Sequence, residues 1–91
     1  MATKKFWERE DFDIAMFYAV FQGIYDLFYN DRIEVPIGLV LRYDAMSEEG
    51  SYDELMKKLT EFRYDIVTSD REAASFVVAC DIYEHRYGSV K

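Results

Sequence analysis

The chain has 91 residues, which fits one domain spanning residues 1–91 and leaves no room for a second. Apolar types make up 51% of it and aromatic types 18%, so the composition can supply a hydrophobic core and excludes intrinsic disorder. The net charge of −7 disfavours direct binding to nucleic acid or to an anionic membrane, and it suits a protein partner with a basic surface.

Cysteine usage and the terminal sequence indicate a cellular setting. Cys80 is the single cysteine, so no intramolecular disulfide can form, which indicates a reducing, cytoplasmic environment. The N-terminus has no long apolar run of the secretory type, and residues 1–8 are the candidate for a flexible end. The longest apolar run, residues 14–21, is too short for a bilayer, which needs about 20 residues.

Two segments in the first half of the chain predict helices. Within 11–30, large apolar residues recur at spacings of four, three and four, the period of one helix face: Phe17, Phe21, Ile24 and Phe28. Within 36–46, Pro36 is suited to the first turn of a helix, and apolar residues follow it at helical spacing. A short strand over 39–43 is the alternative for this second segment.

Two S-x-x-E sequences, typical of helix capping boxes, predict the starts of two further helices. The first precedes an amphipathic segment over 52–66, and the second precedes an apolar segment over 70–87. The residues of the two boxes are Ser51, Glu54, Ser69 and Glu72. With few glycines and one proline to interrupt it, the sequence predicts an all-α fold, a compact bundle of three to four helices.

Residue types that carry catalysis or bind metals are scarce. Cys80, Asp81, Glu84 and His85 lie close together in sequence, but no second cysteine or histidine exists to complete a zinc site. The chain also lacks a Ser-His-Asp set, a glycine-rich phosphate loop and an EF-hand in the correct register. We therefore expect no enzymatic activity, no bound metal and no cofactor.

Tyrosine is the more informative residue type. One side of the first helix, next to the phenylalanines, carries a row of side chains that can bind a partner: Tyr18, Gln22, Tyr25, Asp26 and Tyr29. Tyrosine combines an apolar ring with a polar hydroxyl and is enriched in protein interfaces. The alternative is that these rings flank the core and point their hydroxyls to water.

These observations predict a non-catalytic protein-binding module, an inhibitor or regulator that occludes a larger partner. One alternative is an acidic mimic of nucleic acid, encoded by a phage or mobile element against a host DNA- or RNA-binding protein. A second alternative is a structural subunit of a homo-oligomer. A homodimer is the simplest assembly, because the first and last helices are apolar on more than one face.

Overall fold

The computed structural model describes residues 5–63 and 69–88, and this part of the chain is helical without any strand. Its four α-helices are α1 (Ile14–Asn30), α2 (Ile37–Glu49), α3 (Asp53–Phe62) and α4 (Asp70–Tyr83). A 3₁₀ turn, Phe6–Glu8, precedes α1, and a π-helical turn, Glu84–Gly88, follows α4. The predicted all-α bundle is therefore confirmed, and residues 39–43 are helical.

The start of α1 is set by an N-cap that the sequence prediction, which began at residue 11, did not use. The carboxylate of Asp13 accepts hydrogen bonds from two backbone N–H groups of the first turn, at 3.0 and 3.1 Å. These N–H groups have no partner within the helix, so the cap satisfies them and fixes the start at Ile14. The predicted start of α2 also differs by one residue, because Pro36 lies immediately before α2 rather than within its first turn.

The end of α2 lies beyond the predicted residue 46. Gly50 terminates the helix with φ 72°, a left-handed conformation that glycine adopts without steric cost. The next backbone N–H, from Ser51, donates to the carbonyl of Met46 at 3.0 Å and satisfies one of the last carbonyl groups. Residues 47–49 are consequently helical, three residues beyond the predicted end of the helix.

The predicted capping box at the start of α3 is wrong. Tyr52 occupies the N-cap position without a side-chain hydrogen bond, and the hydroxyl of Ser51 donates instead to Glu49 at 3.2 Å. Glu54 is engaged elsewhere, because its carboxylate accepts a hydrogen bond from Trp7 Nε1 at 3.0 Å. A long-range contact has therefore replaced the local one that the pattern predicted.

The remaining helix boundaries follow local capping. At the start of α4, the Ser69 hydroxyl accepts from the backbone N–H of Glu72 at 3.3 Å, as its S-x-x-E sequence predicts. α3 ends at Phe62 because Arg63 has extended backbone angles. The last part of that predicted helix, residues 64–66, lies outside the described residues. α4 ends at Tyr83 rather than at the predicted residue 87, and the π-helical turn Glu84–Gly88 follows it directly.

α4 lies at the centre of the bundle and packs against both α1 and α2, while α1 also contacts α3. Phe17 of α1 packs on Tyr83 at the end of α4, with ring centroids 5.4 Å apart, and Tyr29 at the other end of α1 packs on Arg71. α1 and α4 are therefore antiparallel. No helix in the described part of the chain combines the length and the hydropathy needed to cross a bilayer.

The N-terminal segment contributes to the core, which the sequence did not indicate. Phe6 and Trp7 are 1% and 4% exposed, although they fall within the stretch 1–8 that was the candidate for a flexible end. The ring of Phe6 lies 5.0 Å from that of Trp7 and 5.6 Å from that of Tyr83, which joins the start of the chain to the end of α4. Residues 1–4 lie outside the described residues.

We predict that Phe6→Ala lowers the free energy of unfolding by about 3–5 kcal/mol, because it removes a fully buried ring and leaves a cavity. Urea unfolding followed by circular dichroism measures this change. Met16→Ala is the matched control, since Met16 is 47% exposed, and it is expected to cost less than about 1 kcal/mol. Equal stability of the two variants would show that the N-terminal segment is dispensable for the core.

Candidate functional site

The five residues singled out in the sequence form one continuous surface, here called the tyrosine face of α1: Tyr18, Gln22, Tyr25, Asp26 and Tyr29. Side-chain hydrogen bonds run along it. The hydroxyl of Tyr18 donates to Gln22 Oε1 at 2.8 Å, and Gln22 Nε2 donates to Asp26 Oδ1 at 3.2 Å. Each link joins residues four apart, which are neighbours on a helix surface, so the spacing in sequence produces the chain of hydrogen bonds.

The N-terminal end of the tyrosine face is held by Arg63, which directly follows α3. Arg63 Nη1 donates to the Tyr18 hydroxyl at 2.6 Å, and the guanidinium carbon lies 4.9 Å from the centre of the tyrosine ring. The ring of Phe62 packs on Tyr18 from the same side, at 5.6 Å between centroids. Tyr18 is therefore half-buried and fixed by a neighbouring element.

The C-terminal end of the tyrosine face is held by a second arginine. The guanidinium of Arg71, in the first turn of α4, lies 5.0 Å from the ring centre of Tyr29 and 5.8 Å from that of Tyr25. Such cation–π contacts contribute about 0.5–2 kcal/mol, depending on how far they are shielded from water. Tyr25 is half-buried, whereas Tyr29 remains 59% exposed.

The geometry therefore combines the two interpretations of the tyrosines. Tyr18 and Tyr25 flank the core and hold arginines from other elements, as expected for rings at the rim of a core. Tyr29 and Asp26 are exposed and available to a ligand. The sequence did not identify Arg63 or Arg71 as part of this surface, because both lie outside α1 and reach it only through helix packing.

A cleft opens beside the exposed end of the tyrosine face. It has a volume of about 530 Å³ and is lined by residues 28–30 and 32–35 together with Arg71. The lining residues belong to the end of α1, to the extended segment that leads to α2, and to the start of α4. Tyr29 is thus part of both the tyrosine face and the cleft wall, and Arg71, which contacts the tyrosine face, also lines the cleft.

A second polar cluster lies at the opposite end of α4, where the sequence brings Cys80, Asp81, Glu84 and His85 together. Arg42 donates to both carboxylate oxygens of Asp81, at 2.9 and 2.7 Å. The Tyr52 hydroxyl donates to Glu84 at 2.5 Å. The two carboxylates are therefore engaged by protein groups, and among the described residues no three His, Cys, Asp or Glu side chains are grouped to hold a metal ion.

Two groups at this second cluster, the Cys80 thiol and the Tyr52 hydroxyl, are held in their neutral forms. Burial raises the pKa of the Cys80 thiol well above its usual value, and the nearby carboxylates add to the effect. Burial and the hydrogen bond to Glu84 likewise raise the pKa of Tyr52. A thiol that stays protonated is a poor nucleophile, so Cys80 behaves as a small apolar core residue.

Comparison of the chain with protein-family models, with curated proteins and with solved structures finds no match.

We predict that Tyr18→Phe lowers the free energy of unfolding by about 1–2 kcal/mol, because it removes the hydroxyl that joins Arg63 to Gln22. Tyr29→Phe is the matched control, since no described residue hydrogen-bonds to that hydroxyl, and its effect is expected to stay within about 0.5 kcal/mol. Denaturant unfolding measures both variants. Equal effects would mean that the hydrogen bonds along the tyrosine face do not stabilise the fold.

Proposed function

We propose that the chain is a non-catalytic protein-binding module that acts as an inhibitor or regulator by covering part of a larger protein. The observation that carries the proposal is the state of the tyrosine face: its side chains are held by hydrogen bonds and by Arg63 and Arg71, while Tyr29 stays 59% exposed. Tyrosine and arginine are the residue types, with tryptophan, that dominate binding energy at protein interfaces.

The side chains of the tyrosine face are already ordered in the free protein, and this order favours binding. Immobilising a flexible side chain at an interface costs about 0.5–1.5 kcal/mol, and that cost falls when the side chain is already fixed. Tyr18 is fixed by Arg63, Tyr25 by Arg71, and Gln22 by its two neighbours along the helix. A partner therefore meets a surface whose conformation needs little further ordering.

Charge favours a partner with a basic surface. The whole chain carries a net charge of −7, and α1 itself contains no lysine or arginine. The exposed carboxylate of Asp26 lies on the tyrosine face, where it can pair with a basic side chain of the partner. Cys80 is a buried free thiol, which is compatible with action in the cytoplasm.

We predict that Tyr29→Ala weakens binding of the partner by about 30-fold or more, because an exposed and ordered tyrosine ring is a typical hot spot of an interface. Affinity capture from the source cell, followed by mass spectrometry, supplies the partner. Calorimetry with the purified pair then compares the wild type, Tyr29→Ala and the control Met16→Ala, which changes another side of α1. Unchanged affinity for Tyr29→Ala would exclude the tyrosine face as the binding surface.

The same calorimetry, repeated over a range of salt concentrations, separates this proposal from the acidic mimic of nucleic acid. A mimic is attracted mainly by charge, so its affinity falls steeply as salt rises. An interface anchored by tyrosine responds weakly, because most of its free energy comes from apolar contact. A steep loss of affinity together with an unaffected Tyr29→Ala variant would favour the mimic.

A second candidate function, a structural subunit of a homo-oligomer, is favoured by another side of α1. Met16 and Leu27 are 47% and 54% exposed there, and they lie at the ends of a row with spacings of four, three and four: Met16, Val20, Gly23 and Leu27. This is the spacing of a helix-pairing seam. A Cβ atom at Gly23 would meet nothing within 4 Å, so packing within the chain does not require glycine at this position.

We predict opposite effects of Gly23→Ala on stability and on self-association if α1 pairs with a second copy. Alanine favours the helix by about 0.5–1 kcal/mol and should raise the stability of the isolated chain. The added methyl group should weaken close pairing of two α1 helices. Gly38→Ala is the matched control, because its position is equally open within the chain but lies on α2. Sedimentation that shows a monomer at all concentrations would exclude the homo-oligomer.

A further inference from the structure

Arg71 lies where an arginine is costly for folding. It occupies the first turn of α4, the positive end of the helix dipole, where a cation is disfavoured. Its Nε atom is buried without a hydrogen-bond partner, and neither ion pair found in the described part of the chain involves its guanidinium. A buried donor without an acceptor is destabilising, and the cation–π contacts of Arg71 with Tyr25 and Tyr29 do not supply the missing acceptor.

Arg32 also occupies a position that is unfavourable for the stability of the fold. It directly follows the C-cap of α1 with φ 56°, and it is the one non-glycine residue with positive φ in the described chain. Glycine is the residue that this position favours, since a side chain in the left-handed region is strained. Arg32 is exposed and forms neither of the described ion pairs.

Both arginines line the same cleft beside the tyrosine face. The cleft also has an apolar part, formed by Phe28, Ile33 and Val35, and it carries one carboxylate, that of Glu34. Its volume of about 530 Å³ falls within the range of small-ligand sites. Two cations against one anion give the cleft a positive balance within a protein whose overall charge is −7.

The contacts of Arg71 leave its two terminal Nη groups without an acceptor among the described residues. Tyr25 and Tyr29 contact the guanidinium through their rings, at 5.8 and 5.0 Å from the ring centres. The N–H donors of a guanidinium lie in its plane, so a guanidinium held by cation–π contacts can still donate two parallel hydrogen bonds to a carboxylate. The rings also restrict the side chain before a ligand arrives, which lowers the cost of binding.

We propose that this cleft binds a monocarboxylate with an apolar body. The carboxylate pairs with Arg71 and Arg32, and the apolar body contacts the part formed by Phe28, Ile33 and Val35. Glu34 disfavours a dianion such as phosphate, because a second negative charge on the ligand would meet its carboxylate. The inference does not rest on the protein-binding function, since a free carboxylate can occupy the cleft whether or not a protein covers the tyrosine face.

Titration of the full chain with sodium benzoate, followed by two-dimensional NMR, tests the proposal. We expect a Kd of about 1 mM, with shifts at Tyr29 and Arg71. Benzamide, the neutral analogue, and inorganic phosphate should each bind at least about tenfold more weakly. No saturable shift up to about 50 mM benzoate would overturn the proposal, and so would equal affinity for benzamide or tighter binding of phosphate.

Two variants connect binding to the arginines. Arg71→Met keeps an unbranched apolar stem and removes the charged guanidinium, so it should weaken benzoate binding at least about tenfold. Arg42→Met is the matched control, because Arg42 is paired with Asp81 and does not line the cleft, and it should bind benzoate as the wild type does. Equal affinity of the two variants would overturn the assignment.

Arg32→Gly gives a test in which stability and binding move in opposite directions. Glycine relieves the strain at positive φ and should raise the melting temperature by about 4 °C or more. The same change removes a cation from the cleft and should weaken benzoate binding by at least about threefold. A loss of binding together with a loss of stability would indicate damage to the fold and would count against a direct role of Arg32.

The carboxylate can come from a small molecule or from the C-terminus of a peptide, and one further comparison separates these sources. The probes are benzoate, the peptide acetyl-Ala-Ala-Phe with a free carboxylate, and the same peptide as its amide. A peptide that binds at least about tenfold more tightly than benzoate supports a chain terminus as the ligand, and the reverse order supports a small molecule. Equal binding of the peptide and its amide would overturn recognition of a carboxylate.

Discussion

The close packing of α1 and α2 on α4 determines the rest of the structure. The faces of α4 that they cover carry small side chains, and Ala74, Ser75 and Ala79 are completely buried. Small residues let helix backbones approach closely, while the larger rings of Phe76 and Tyr83 fill the space between the helices. α1 packs on α4, and this packing places the C-terminal end of the tyrosine face over the first turn of α4.

The N-terminal 3₁₀ turn completes the same arrangement. It contributes Phe6 and Trp7 to the aromatic cluster around Tyr83, and Trp7 donates to Glu54 of α3. The turn thus connects α4, at the centre of the bundle, to α3, which packs least against α4. A small domain can bury only part of its surface, and a short terminal segment with two large rings adds to a core that four short helices would leave incomplete.

The sequence predicted what depends on local periodicity. The four helices, the absence of strand from the described residues and the alignment of Tyr18, Gln22 and Tyr29 along α1 all follow from spacing at the helical period. It did not predict what depends on contacts between distant residues. Glu54 accepts from Trp7 rather than capping α3, and Arg71 reaches the tyrosines only because α1 and α4 are antiparallel. Such contacts leave no periodic signal in the chain.

The cleft shows why net charge is an incomplete guide to binding. A charge of −7 describes the long-range field, which screening limits to about 8 Å in physiological salt. At shorter range the ligand meets individual groups, and in the cleft these include two arginines that have no ion pair among the described residues. An acidic protein can therefore attract a basic partner from a distance and still hold a carboxylate in a local site.

Three positions in this chain carry residues that the isolated fold does not favour. Gly23 lies inside α1 where an alanine methyl group would meet no neighbour, Arg32 takes a backbone conformation suited to glycine, and Arg71 leaves a buried donor unsatisfied. All three lie outside the aromatic core, and two of them line one cleft. Local conflicts with stability are expected where a sequence serves binding as well as folding. Their location at the surfaces around α1, rather than in the core around α4, supports the proposal that this part of the molecule binds other molecules.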